Sequence, residues 1–190
     1  MEVINPSSSA AAEAAVLLKK EGVVICLTDT VYGFLADAGN KKAVTKIYKI
    51  KNRPETKPLP VFVKDLKMAK EIAEIDSRQE KILRKYWPGK YTFILKRKSE
   101  IKLYGVDEKT IAMRIPNHKL LLQLLKKMNR PLVQTSVNIS TQEPLKSAEA
   151  IIEAFGKSKL VGLIIDGGRA KSGKSSKIID LASGKLIRLR

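Results

Sequence analysis

Histidine and cysteine are almost missing from this chain: each occurs once, as His118 and Cys26. A single cysteine excludes an internal disulfide and fits a reducing compartment, so the expected location is cytoplasmic. One Cys and one His leave too few ligands for a zinc site, and a Ser-His-acid triad would rest wholly on His118. His118, in IPNHK, reads as a surface turn residue at a helix start, and Cys26, in VVICL, as a small core residue. Aromatic residues are only 5% of the chain, which argues against a surface that stacks single-stranded bases. No apolar run approaches the ~20 residues of a membrane span. The N-terminus, MEVINPSSSA, lacks a basic segment followed by an apolar stretch, so no secretory signal is visible.

What the chain has in excess is positive charge. Lys and Arg number 37 against 19 acids, a net +18 over 190 residues. Such a field attracts polyanions, whether nucleic acid, nucleotide or anionic membrane. A lysine-rich surface that only solubilises the protein accounts for it equally well. With 44% hydrophobic and 29% charged residues, the chain is long enough for a real core, and residues 1–190 read as one globular domain without repeats or linkers.

Local patterns predict the elements. Ser7 to Lys20 reads as a helix stopped by Gly22, and Val23 to Thr28 as a buried strand. Asn40 can cap a second helix that Pro54 closes. Strands are expected at Leu59 to Val63, Tyr91 to Leu95, Thr110 to Ile115, Leu132 to Thr135, Leu160 to Ile165, Lys177 to Leu181 and Lys185 to Leu189. Helices are expected at Leu66 to Ile75, Arg78 to Tyr86, Leu120 to Met128 and Ala148 to Phe155. Ser183-Gly184 signals a closing hairpin. Strands and helices mix without strict alternation, which implies an α+β or open α/β fold: a twisted sheet of mixed parallel and antiparallel pairs flanked by helices.

The stretch GGRAKSGKSS contains the G-x-x-x-x-G-K-S spacing of a Walker A loop. A working phosphate loop lies between a strand and a helix. LVGLIID supplies the strand, but KIIDL is β-rich and a hairpin follows at once. The match is therefore read as a decoy, although such a loop can still bring N–H groups and a lysine near an anion.

A parity pattern is more informative. Residues two apart on a strand point the same way. Thr28, Thr30 and Tyr32 are so spaced, as are Gln134, Ser136 and Asn138, while Thr110 and Arg114 share a side opposite Ile111, Met113 and Ile115. Lys51 and Arg53 are two apart, and Pro54 predicts an extended exit from the helix in which both point together. One polar face on a strand is usually solvated surface. Several, each ending an apolar run, converge on a cleft at strand ends. Three cations there suit phosphates or carboxylates, and hydroxyl and amide groups suit a small polar substrate. Asp29, Asp37, Asp166 and Asp180 could touch a metal, but no spacing makes a dedicated site. Magnesium brought by a nucleotide needs few protein ligands.

Six stretches, in order, resemble the YrdC/Sua5 family of threonylcarbamoyl-AMP synthases across nearly the whole chain. They are TDTVYG, KNRP with KPL, WPG, TIAMRIPNH, PLVQTSVNIS and DGGRAKSGKSSKIID. The last is similar to the loop before the family's final hairpin. The resemblance implies a short, single-domain form that makes threonylcarbamoyl-AMP and pyrophosphate from L-threonine, bicarbonate or CO2, and ATP with Mg2+. It implies that partner proteins then load the product onto adenosine 37 of tRNA. Lys51, Arg53, Ser136 and Asn138 match the family's Lys-Arg-Ser-Asn set, the implied catalytic group. By the same resemblance Thr30, Arg114, Ser136 and Ser176 would hold threonine, and Arg53, Lys57, Thr110, Gln134, Pro144 and Arg188 would hold ATP. Leu27, Val137, Thr141 and Lys177 depart from common family residues, and Gln134 is unusual at an adenine-side position. Two alternatives share the pattern: a double-stranded RNA or tRNA binder of the same fold, and a paralogue with another carbamoyl or acyl substrate.

Overall fold

A computed structural model describes residues 1–170, 175–183 and, by backbone alone, 187–188. The strands are β1 (Glu2–Ile4), β2 (Val24–Leu27), β3 (Tyr32–Asp37), β4 (Val61–Phe62), β5 (Tyr91–Lys96), β6 (Thr110–Arg114), β7 (Leu132–Ser136), β8 (Leu163–Ile165), β9 (Lys177–Asp180) and β10 (Ile187–Arg188). The helices are α1 (Ala10–Lys19), α2 (Lys41–Lys51), α3 (Leu66–Ile72), α4 (Ser77–Tyr86), α5 (Lys119–Met128) and α6 (Ala148–Phe155). Several starts are set by side-chain caps. Asn40 accepts from the Ala43 N–H, Asp65 from Met68 and Ser147 from Ala150, and Asp76 with Gln79 forms a reciprocal capping box.

All the strands join one sheet in the order β1-β8-β2-β3-β7-β4-β6-β5-β9-β10. The pairs β1/β8, β2/β8, β4/β6 and β5/β9 are parallel, and the rest are antiparallel. The mixed α+β architecture expected from the sequence is what the chain adopts. Register divides the sheet into two faces. Ile25, Phe34, Ala36, Val133, Val61, Met113, Phe93 and Ile179 share one face and lie in the larger core with residues of α2, α3, α4 and α6. The opposite face is covered by α1 and α5 across β8, β2, β3 and the start of β7. Over β6, β5 and β9 no helix among the described residues covers that face, and the cleft lies there. Among the described residues no helix is long and apolar enough to cross a membrane.

Three local expectations are corrected. The sequence carries no signal for β1, because it is a three-residue, mostly exposed edge strand without an apolar run. The strand β3 is also additional to those expected. Thr28 to Val31 form a tight turn, in which the Thr28 N–H donates to Val31 O at 3.1 Å and the Thr28 hydroxyl to the same oxygen at 2.8 Å. Thr28 and Thr30 therefore belong to the turn and Tyr32 starts the next strand, so parity does not align these three. Finally, α2 does not exit in an extended form. Lys51 is its last helical residue and Asn52 turns left-handed at φ 48°, as C-terminal Asn residues readily do.

Candidate active site

The open face holds a cleft of about 360 Å³. Its walls include Thr110, Ala112 and Arg114 of β6, Gln134, Thr135 and Ser136 of β7, Ile94 of β5 and Ile178 of β9. The Thr30–Val31 turn, Arg53, the 58–60 segment, Asp107, Ser175 and Ser176 complete it. Seven residues proposed from sequence thus meet: Thr30, Arg53, Thr110, Arg114, Gln134, Ser136 and Ser176. The cleft lies on a sheet face rather than at strand ends, because the polar members of β6 and β7 alternate with residues buried on the other side.

Arg114 is only 1% exposed, yet forms part of the floor. Its Nε donates to Gly89 O at 2.9 Å, Nη1 lies 3.5 Å from the Thr30 hydroxyl, and Nη2 pairs with the Asp29 carboxylate. The Phe62 ring stacks 5.4 Å from its guanidinium carbon. Asp29 also accepts from the Asn117 N–H at 3.2 Å. Burial lowers the Arg114 pKa, with Asp29 opposing. From sequence Asp29 reads only as a possible metal ligand; its pairing with Arg114 bridges 85 positions, which no local pattern discloses.

Lys51 takes a different place from the one expected. It does not line the cleft beside Arg53 but lies beneath it, 2% exposed. Its Nζ donates to Ser136 O at 2.6 Å, Asn138 O at 2.8 Å and Asn138 Oδ1 at 2.7 Å. The Ser136 hydroxyl donates to the same Oδ1 at 2.7 Å. Lys51 thus ties down the chain just past β7, and Asn138 faces this lysine rather than the cleft. Burial, then Arg53, pushes Lys51 down to about 7. The three carbonyl acceptors favour its ammonium and oppose that shift.

Arg53 sits higher on the wall. Its Nε donates to Lys57 O at 3.2 Å and Nη2 to Pro58 O at 3.1 Å. Lys57 acts here through its carbonyl, and neither its side chain nor Pro144 lines the cleft. Thr110 is held by Asp107, whose Oδ1 accepts from the Lys109 and Thr110 N–H groups and the Thr110 hydroxyl. These bonds lower the Asp107 pKa. Ser176 bonds Thr92 at 2.8 Å. The backbone of Arg188 pairs with Ile179, but its side chain lies outside the described residues, as do Lys171 to Lys174 of the Walker-like stretch. Just after them Ser175 leads into β9, not a helix. The start of this loop is anchored by Tyr32: its hydroxyl donates to Gly168 O at 2.6 Å and accepts from the Gly167 N–H at 3.1 Å. Burial, then Asp166, raises the Tyr32 pKa.

The residues set aside from sequence behave in two ways. Cys26 is buried and free, its thiol pushed up to about 12 by burial. His118 stands at the start of α5 as expected, but it is half-buried rather than on the surface, and its Nδ1 has no hydrogen-bond partner among the described residues. Burial lowers its pKa. No cluster of three or more His, Cys, Asp or Glu able to hold a metal occurs among the described residues.

Comparisons with known proteins bear on the family and the fold. The family model Sua5/YciO/YrdC, described as telomere recombination, matches residues 16–190. A putative threonylcarbamoyl-AMP synthase from Methanocaldococcus jannaschii is 38% identical over 91% of this chain and 83% of its own. A threonylcarbamoyl-AMP synthase from Pyrococcus abyssi is 33% identical over 93% of this chain and 52% of its own, so the chain spans about half of that relative. The crystal structure of P. abyssi Sua5 complexed with L-threonine is 30% identical, with a TM-score of 0.91, over 100% of this chain and 57% of that one.

Proposed function

The chain belongs to the Sua5/YciO/YrdC family, and from that premise we propose that it is an L-threonylcarbamoyladenylate synthase. It would make threonylcarbamoyl-AMP and pyrophosphate from L-threonine, bicarbonate or CO2, and ATP, a nucleotidyl transfer. The observation that carries this reading is the meeting of Arg114 and Arg53 in one cleft with Thr30, Thr110, Ser136 and Ser176. Threonine brings a carboxylate and ATP a triphosphate, and each anionic group needs a fixed cation. Threonine's carboxylate meets Arg114, with the hydroxyls of Thr30, Ser136 and Ser176 orienting the rest. ATP lies along Arg53, Thr110 and Gln134, and Lys57, Pro144 and Arg188 remain proposed contacts on the family resemblance alone.

Two bonds are made. The threonine amine attacks the carbon of CO2 and passes a proton to water, giving a carbamate. A carbamate oxygen then attacks the α-phosphorus as the bond to pyrophosphate breaks. Negative charge grows on the phosphate oxygens and the leaving group. Arg53 meets it directly, and the buried Lys51 ammonium adds its field from behind Ser136, where low dielectric keeps that field strong. Lys51 and Asn138 also hold Ser136 in position. Magnesium would arrive with the triphosphate and supply charge neutralisation. With no dedicated metal cluster among the described residues, Asp107 is the one described carboxylate in the cleft lining that could touch it.

We place the reaction in the cytoplasm, with the product passed to proteins that transfer it to tRNA. The +18 charge favours tRNA nearby. The test is pyrophosphate release by purified protein given threonine, bicarbonate, ATP and magnesium. It should require every substrate and fall in Lys51→Ala. Salt-sensitive RNA binding without threonine-dependent release would establish the RNA-binding alternative, and release with a different acyl substrate the paralogue.

A further inference from the structure

The two cleft arginines differ in their counterions. Arg114 is paired with Asp29, both side chains being nearly buried at 2% and 8% exposure. The guanidinium is confined by Gly89 O on Nε, by Asp29 on Nη2 and by Phe62 on its face. Nη1, beside Thr30, remains the least engaged nitrogen. Arg53 is held only by carbonyl oxygens, and among the described residues no carboxylate pairs with it. The arginines also serve opposite ends of the cleft. The Pro58 oxygen that holds Arg53 adjoins Leu59, whose N–H donates to Gly105 O at 2.7 Å, next to the turn where Asp107 holds Thr110. Thr110 and Arg114 end β6, about 13 Å apart at strand spacing.

We propose that Asp29 is a positioning residue that sorts an amino-acid carboxylate and a triphosphate between two arginines. By neutralising Arg114 and occupying Nη2, it leaves one N–H edge that suits the carboxylate of a zwitterionic amino acid. The same carboxylate repels a polyanion, so the triphosphate goes to the uncompensated charge of Arg53. Without Asp29, a buried and unpaired guanidinium would form a strong phosphate site where the amino acid must sit. This inference rests on the reading that the amino acid binds at Arg114.

The probe is inorganic phosphate. In the unaltered protein, phosphate should compete with ATP and not with threonine. In Asp29→Asn, phosphate should compete with threonine and bind at least about tenfold more tightly at that end. Asp29→Glu, which keeps the charge, should retain most of the exclusion. A role confined to folding would lower the melting temperature and leave the competition pattern unchanged. Titration calorimetry of phosphate and threonine reads this independently of turnover. If no pyrophosphate is made, the synthase reading fails while the calorimetric result still stands. Unchanged phosphate binding in a folded Asp29→Asn overturns the proposal. Should that variant not fold, phosphate competing with threonine in the unaltered protein overturns it as well.

Discussion

Replacing Lys51 by methionine keeps the length of the side chain and removes its charge. Three acceptors then lose their donor: Ser136 O, Asn138 O and Asn138 Oδ1. The last retains the Ser136 hydroxyl, so two carbonyl oxygens are orphaned. Each buried orphan costs about 1–3 kcal/mol. Against this, a desolvated ammonium disappears, which recovers part of the loss. The net destabilisation should be about 2–4 kcal/mol, and at about 2–4 °C per kcal/mol for a domain of this size the melting temperature should fall by roughly 5–15 °C. The assay is urea denaturation of both proteins beside pyrophosphate release under conditions where each is fully folded. The release rate should fall steeply, because Ser136 loses its support and the phosphate loses a nearby charge. If activity vanishes while stability changes by less than about 0.5 kcal/mol, Lys51 does not anchor the segment past β7, and its positioning role is refuted.

Other substitutions test other parts. Lys51 holds about 7 in the fold against 10.5 when free, so the unfolded chain binds more protons between these values. Relative to Lys51→Met, the wild type should therefore gain stability as pH rises from 7 towards 10, as paired denaturation curves would show, while pyrophosphate release that uses the Lys51 ammonium should fall over the same range. Tyr32→Phe removes the hydroxyl that joins Gly167 and Gly168 to the sheet; a loss of about 1–3 kcal/mol is expected, with faster amide exchange at Gly167 and Gly168. Gly105→Ala places a Cβ 2.6 Å from Val44 at φ +70°, and should cost at least about 1–2 kcal/mol by thermal denaturation. Thr110→Val should raise the KM for ATP several-fold and leave that for threonine unchanged.

Most of the fold is legible in the sequence because the elements are short and cleanly patterned. The helix start at Asn40 follows from capping chemistry, and the two-sided pattern of Thr110 to Arg114 survives in β6. The strand β3 is hard to see because its run, YGFLAD, opens straight after a four-residue turn and is buried throughout, without alternation. The polar cleft lining is legible by parity at β6 and β7. The depth of Lys51 is not, since it depends on one left-handed residue, Asn52, and on acceptors more than eighty positions away. The Asp29–Arg114 pair is hidden for the same reason: it exists only once the turn after β2 meets the end of β6.

The most direct test is a crystal structure of the protein with L-threonine and a non-hydrolysable ATP analogue. Threonine's carboxylate should lie on Nη1 of Arg114 within about 3 Å, with Asp29 still on Nη2 and the triphosphate on Arg53. Threonine bound away from Arg114, or phosphates seated on that arginine, would contradict the proposed division of the cleft.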